Sequence, residues 1–328
     1  MAYLLSTKTQ IPNVNHFYVR DFLDRARENL VHDSFGQMKP IPQNNSDMIY
    51  FRRYERLAKN YTPLGDGVTP AGKQLSVTTI YATVEDYGDY VMITDKVLRE
   101  TEDAIWAEVS DVLVEQANDS LDCVTREKLM LGSNVLYAGT GNTDTDEIAA
   151  GDVPTFADLK NISLLLRNAN AKKITDFVRP DQGYATTPVR PSYVGITSPA
   201  AIELFKLLKD SNGLVVWEDA EKYANMSNLL PEEQGRIKDI RFVETTNAKV
   251  KEDAGTAGVD VYTLLVIGKN AYGVTLMDGM STNIYIKLPS EAGAEDPIEQ
   301  RASAGWKVSK TAKILNEDWM VRYEFTIA

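Results

Sequence analysis

The chain has 328 residues, 43% hydrophobic and 25% charged, which suits one large or two modest folded cores and excludes a low-complexity or disordered chain. Its formal net charge of −12 argues against a surface built to grip nucleic acid, which would concentrate Lys and Arg. The single cysteine, Cys123, excludes an intrachain disulfide, and no apolar run approaches the length of a membrane span. The start, MAYLLSTKTQIP, lacks the basic lead and long apolar run of a secretory signal, so a cytoplasm-like compartment is expected.

Residues 1–46 read as an arm. Val14 to Val31 carries a short amphipathic helix with Phe17, Val19, Phe22, Leu23, Ala26 and Leu30 as its apolar members, set in polar, irregular chain. So little apolar surface cannot order the arm alone, and something outside it is expected to hold it.

Residues 47–94 read as a long β-hairpin. Asp47 to Ala58 and Leu75 to Thr94 are rich in β-branched and aromatic residues, and the second alternates Leu75, Val77, Thr79, Tyr81 against Ser76, Thr78, Ile80, Ala82. Between them Lys59 to Gln74 holds Pro63, Gly65, Gly67, Pro70 and Gly72, a longer tip than a tight turn needs. A two-stranded ribbon roughly 40 Å long is not stable in water by itself, so its own domain or another chain must cover it.

Lys96 to Leu131 contains neither Gly nor Pro across 36 residues, with apolar side chains at helical spacing and Gly132 as a stop. Thr94 or Asp95 can cap its start, and Thr101 marks a possible break. A continuous helix here would be about 54 Å long. One reading is a core helix of an α/β enzyme, whole or broken near Thr101; the other is a spine along which an elongated subunit is laid out. Cys123 lies within it and reads as a small packed residue.

After a polar connection, Gly132 to Thr155, the pattern predicts a helix over Phe156 to Ala169 and a buried strand at Ser192 to Thr197. A helix over Ala200 to Asp210 follows, with Ser198 and Pro199 at its start. Further strands are expected at Arg241 to Glu244, Val261 to Gly268 and Asn283 to Leu288. Trp306 to Lys313 and Trp319 to Thr326 read as a terminal hairpin turning at Leu315 to Asp318.

No catalytic constellation emerges. The two histidines, His16 and His32, lie in the arm away from any nucleophile element and read as solvated or interface residues. Gly139-Thr-Gly-Asn-Thr-Asp144 lacks the third glycine of a dinucleotide fingerprint. Asn142, Asp144 and Asp146 begin like a calcium loop, but Glu147 and Val153 stand where glycine and the closing Glu belong. No catalytic, cofactor-binding or metal residues are therefore assigned.

Several stretches taken together do carry a resemblance. Thr62-Pro-Leu-Gly-Asp-Gly-Val-Thr-Pro70, Tyr87-Gly-Asp-Tyr-Val-Met-Ile-Thr-Asp95, Gly235-Arg-Ile-Lys-Asp-Ile-Arg-Phe-Val-Glu-Thr-Thr246, Gly268-Lys-Asn-Ala-Tyr-Gly273 and Gln300-Arg-Ala-Ser-Ala-Gly-Trp-Lys307 run in one order along nearly the whole chain. In that order they resemble the major capsid proteins of tailed bacteriophages with the Hong Kong 97 fold, and more narrowly the branch typified by phage N-four.

The resemblance implies an α+β capsid fold. Its parts would be an N-terminal arm (1–46), an extended β-hairpin loop (47–94), a peripheral domain with the spine helix (95–155), an axial domain (156–300) and a C-terminal hairpin returning to the peripheral domain (301–328). It implies a structural protein, not an enzyme, that assembles as a homo-oligomer of hexamers and pentamers into an icosahedral virion head in the host cytoplasm. The head would enclose double-stranded DNA without specific binding, and no cofactor or membrane is involved. With no large N-terminal scaffolding domain, a separate scaffold protein is expected, together with a portal and room for a decoration protein. Inter-subunit contacts would fall on Tyr61, Thr62, Pro63, Leu64 and Val68 at the loop tip and on Phe17 and Phe22 in the arm. Lys59 and Asn60 sit near that tip, but no motif assigns them the crosslinking some members of the fold perform. The competing reading is a soluble α/β enzyme with a carboxylate site.

Overall fold

The computed structural model describes residues 30–41, 47–67, 69–100, 105–175, 190–223, 229–276, 283–289 and 296–327. The arm helix with Phe17 and Phe22, the tip residue Val68 and the possible helix break at Thr101 lie outside them.

An eight-stranded sheet forms the larger core. Its strands run in the order Val135–Tyr137, Met320–Phe325, Val261–Ile267, Tyr193–Thr197, Ile240–Glu244, Glu233–Ile237 and Glu218–Asp219, and Val250–Lys251 adds to Val261–Ile267. The helices Phe156–Asn168 and Pro199–Lys206 cover one face, burying Leu159, Ile162, Leu166, Ala201, Ile202 and Phe205 against Tyr193, Phe242, Leu264 and Phe325. Val194, Ile196, Val243, Leu265 and Ile267 pack on the other face. Burial on both faces is why Val261–Ile267 is almost continuously apolar. The first helix begins with a reciprocal capping box between Thr155 and Asp158. At the second, Pro199 occupies the first turn, and Ser198 makes no side-chain cap.

A five-stranded sheet is built around one long strand, Arg301–Ile314. Along one edge it pairs antiparallel with Glu85–Thr94, from Lys310 opposite Glu85 to Arg301 opposite Thr94. Along the other it pairs with Tyr272–Leu276 and Asn283–Lys287, while Gln37–Met38 extends the sheet beyond Tyr272–Leu276. The period of two sends Ala302, Ala304, Trp306 and Val308 to one face, where the last three meet Leu113, Val114, Ala117 and Leu121 of the helix Ile105–Met130. That helix and Asp95–Glu100 occupy the expected spine segment. Val112 on the same helix is exposed, so the apolar residues of this segment are not all buried.

Two predicted hairpins are corrected. In the ribbon, Met48–Tyr54 pairs with Val77–Thr83 in register from Met48 opposite Thr83 to Tyr54 opposite Val77. The strand expected to run on to Thr94 breaks at Val84, and Glu85–Thr94 leaves the ribbon for the five-stranded sheet. At the C-terminus, Arg301–Ile314 and Met320–Phe325 do not pair with each other. The first belongs to the five-stranded sheet and the second inserts between Val261–Ile267 and Val135–Tyr137 in the eight-stranded one. The Leu315 to Asp318 segment crosses between sheets through a 3-10 turn at Glu317–Trp319, tied back by Leu315 and Asn316 N–H bonds to the Ala271 carbonyl.

Candidate assembly surface

Strand alternation gives the ribbon two faces. Phe51 opposite Ile80, with Ile49 opposite Ala82, turns toward the subunit, and Phe51 is only 5% exposed. Its ring lies against Gly273, where an added Cβ would come within 2.8 Å of Phe51 Cζ, so glycine permits the docking. Lys39 Nζ sits 5.7 Å from the ring centroid, and Arg53 donates to the Leu315 carbonyl at 3.3 Å. The root of the ribbon is thus fastened to its own subunit. The opposite face carries Tyr50, Tyr54, Val77 and Tyr81, all exposed. Tyr50 and Tyr54 were not singled out from the sequence, although their alternation with Phe51 was readable there.

Beyond Glu55, whose N–H bonds the Ser76 carbonyl at 3.0 Å, the described tip makes local contacts: Lys73 Nζ to the Ala58 carbonyl at 2.6 Å and Thr62 N–H to Asn60 Oδ1 at 3.2 Å. Tyr61 is 82% exposed and Leu64 71%, with Thr62 and Pro63 exposed beside them. The tip and the outer ribbon face therefore form one apolar, aromatic surface without a partner among the described residues. Large apolar side chains held on an ordered ribbon in water mark an interaction site.

A buried polar latch fixes the Val31–Ser34 part of the arm. His32, expected to be a solvated or interface residue, is 1% exposed in the short helix Val31–Ser34. Its N–H donates to Asp122 Oδ1 at 2.8 Å, and its Nδ1 lies 2.7 Å from Asp122 Oδ2. Asp33 accepts Thr125 Oγ1 and Lys310 Nζ, each at 2.5 Å, and Lys310 also reaches the Leu121 carbonyl at 2.8 Å. The buried Tyr272 hydroxyl donates to the His32 carbonyl. The arm's exit is thereby bound to the spine helix and to the long strand at once.

Burial would raise the Asp122 pKa. The His32 ring, its backbone N–H and the Lys310 charge outweigh that and hold the carboxyl below the usual Asp range. A folded pKa below the unfolded value gives stability that is complete above the unfolded value of about 4 and lost as pH falls through the folded one. Asp122→Asn should therefore cost about 1–3 kcal/mol at pH 7. The gap in melting temperature from the wild type should narrow in scans below about pH 4; a gap independent of pH would refute this.

The other chemistry-bearing candidates are structural. Asn142 bonds the Ala138 carbonyl at 2.7 Å and Asp152 at 2.9 Å, and Asp144 caps the turn Thr145–Glu147. No group of three His, Cys, Asp or Glu side chains converges on a metal site among the described residues. Burial pushes the half-buried Cys123 thiol up, away from thiolate reactivity. Among the described residues no helix is long and apolar enough to cross a membrane.

No protein-family profile matches the chain, and no curated protein does. Solved structures do. The capsid of Ralstonia phage GP4 superposes with a TM-score of 0.67 at 15% identity, over 92% of this chain and 88% of that one. The capsid of cyanophage Pam1 gives 0.62 at 13% identity, over 87% and 86%. The head of Helicobacter pylori bacteriophage KHP40 gives 0.56 at 14% identity, over 90% and 88%. The chain has the α+β fold of these phage capsid proteins, the Hong Kong 97-like fold expected from its sequence.

Proposed function

We propose that this chain is a major capsid protein of a tailed bacteriophage, of the phage N-four type, that self-assembles into hexamers and pentamers of an icosahedral head around double-stranded DNA. The observation that carries the reading is the ribbon. Its root is docked on the subunit through Phe51, while Tyr50, Tyr54, Tyr61, Leu64 and Tyr81 are held in water with nothing among the described residues to cover them. A neighbouring copy is the natural cover, with Thr62, Pro63 and Val68 completing the tip contact and Phe17 and Phe22 making a second one from the arm. The five-stranded sheet with the spine helix serves as the peripheral domain and the eight-stranded sheet as the axial domain. In this division Tyr272–Leu276 and Asn283–Lys287, expected in the axial part, belong to the peripheral sheet, and Val135–Tyr137 and Met320–Phe325, expected in the peripheral part, belong to the axial one. Many weak repeated contacts sum in a closed shell, where each is effectively intramolecular. The acidic balance suits a wall that does not grip packed DNA, and no catalytic step is required. A separate scaffold protein, a portal and a decoration protein complete the particle in the host cytoplasm. Negative-stain microscopy of the expressed chain, alone and with its scaffold protein, should show rings and shells. Compact monomers under both conditions would end the proposal.

A further inference from the structure

The acidic chain holds a basic concavity. On the helix Phe156–Asn168, Lys160 and Arg167 stand seven residues apart on one face with the small Ser163 between them. Arg190, Arg236 and Lys238 complete the walls of a cleft of about 450 Å³. Its two carboxylates are already engaged, Glu218 by Arg236 at 2.6 Å and Asp239 by Lys173 at 3.1 Å. Lys160, Arg167, Arg190 and Lys238 have no carboxylate partner among the described residues. Like charges gathered in a concavity repel one another and raise the local concentration of anions.

The same sheet carries the opposite charge at its other side. The edge strand Val135–Tyr137 leads into a loop bearing exposed Asp144, Asp146 and Glu147. The turn with Glu252, Asp253 and Asp260 is bonded to that loop, Thr256 N–H to the Ile148 carbonyl at 2.8 Å and Thr256 Oγ1 to the Asp146 carbonyl at 2.7 Å. None of these six carboxylates pairs with a cation among the described residues. The cleft flanks Glu218–Asp219 and Glu233–Ile237, at the far end of a seven-strand path that spans roughly 29 Å.

From this polarity we infer that the basic cleft of one subunit receives the acidic loops of a second copy, head to tail around the capsomer ring. The inference rests on the capsid reading and names the contact within it. Two different patches meeting give a heterologous interface, the kind that closes into rings when the rotation fits. Opposite charge steers the approach and sets register, and like charge in the same place excludes it.

The test is a charge swap on exposed positions. Lys160→Glu/Arg167→Glu cancels the net charge of the four unpaired cations, and Asp146→Lys/Glu252→Lys cuts that of the six carboxylates to about a third. Each variant should melt as the wild type does, yet lose rings and shells at least tenfold at physiological salt. If wild type makes no shells, the capsid reading fails. If wild type makes shells and either variant assembles normally, with or without a change in retained duplex DNA, the contact is wrong.

Discussion

A chain in which Tyr61–Gly72 is replaced by Asn-Gly is expected to melt within about 2 °C of the wild type and to form no closed shells. The first half follows from where the tip sits. Tyr61 and Leu64 are exposed, and the ribbon is fastened at its root by Phe51 against Gly273 and by Arg53 on the Leu315 carbonyl. A shorter connection also costs slightly less closure entropy, since that term grows only with the logarithm of loop length. Burying a Tyr or Leu side chain at a neighbour is worth about 1.5–3 kcal/mol. Losing both at every contact thus weakens each interface by more than about a hundredfold before repetition multiplies the effect. Calorimetry of the subunit and electron microscopy of assembly reactions decide it. Unfolding of the shortened monomer would make the tip part of the subunit fold, and normal shells would remove it from the lattice.

What local pattern could show, and what it could not, divides along contact distance. The buried strands at Tyr193–Thr197 and Val261–Ile267, and the helix that starts at Thr155, announce themselves within a few residues by apolar runs and capping chemistry. The ribbon's second strand misled because alternation continues without a breaker through Val84, while its partner changes from Met48–Tyr54 to a strand more than 200 residues away. Likewise, Leu315 to Asp318 has the composition of a reversal, but turn residues report a bend and not which strand comes next. The exposed tip was legible from Pro and Gly density alone. His32 was not, because nothing near it in sequence signals Asp122, which lies 90 positions on. The outer face at Tyr50 and Tyr54 needed one further step: once Phe51 faces inward, a period of two puts its neighbours outward.

The largest effect on subunit stability should come from Lys310→Met. Lys310 is fully buried on the long strand, opposite Leu276 on one side and Glu85 on the other, and its ammonium is satisfied by Asp33 and the Leu121 carbonyl. Methionine fills much of the same volume, so little is lost in packing. What remains is Asp33, itself buried, holding a charge that the hydroxyl of Thr125 cannot neutralise. Breaking a buried pair from one side typically costs about 3–5 kcal/mol, several times what an exposed pair contributes. Replacing both charges removes that penalty, so Lys310→Met/Asp33→Leu should lie well above Lys310→Met and near the wild type in urea unfolding. The two-sided result separates a latch from a packing defect. If Lys310→Met costs less than about 1 kcal/mol, the pair does not hold the arm's exit. If adding Asp33→Leu deepens the loss, the carboxylate is needed for something other than Lys310. Hydrogen exchange supplies the structural readout: in Lys310→Met the amides from Val31 to Met38 should exchange faster, because the same cluster that stabilises the subunit also fixes the point from which the arm departs.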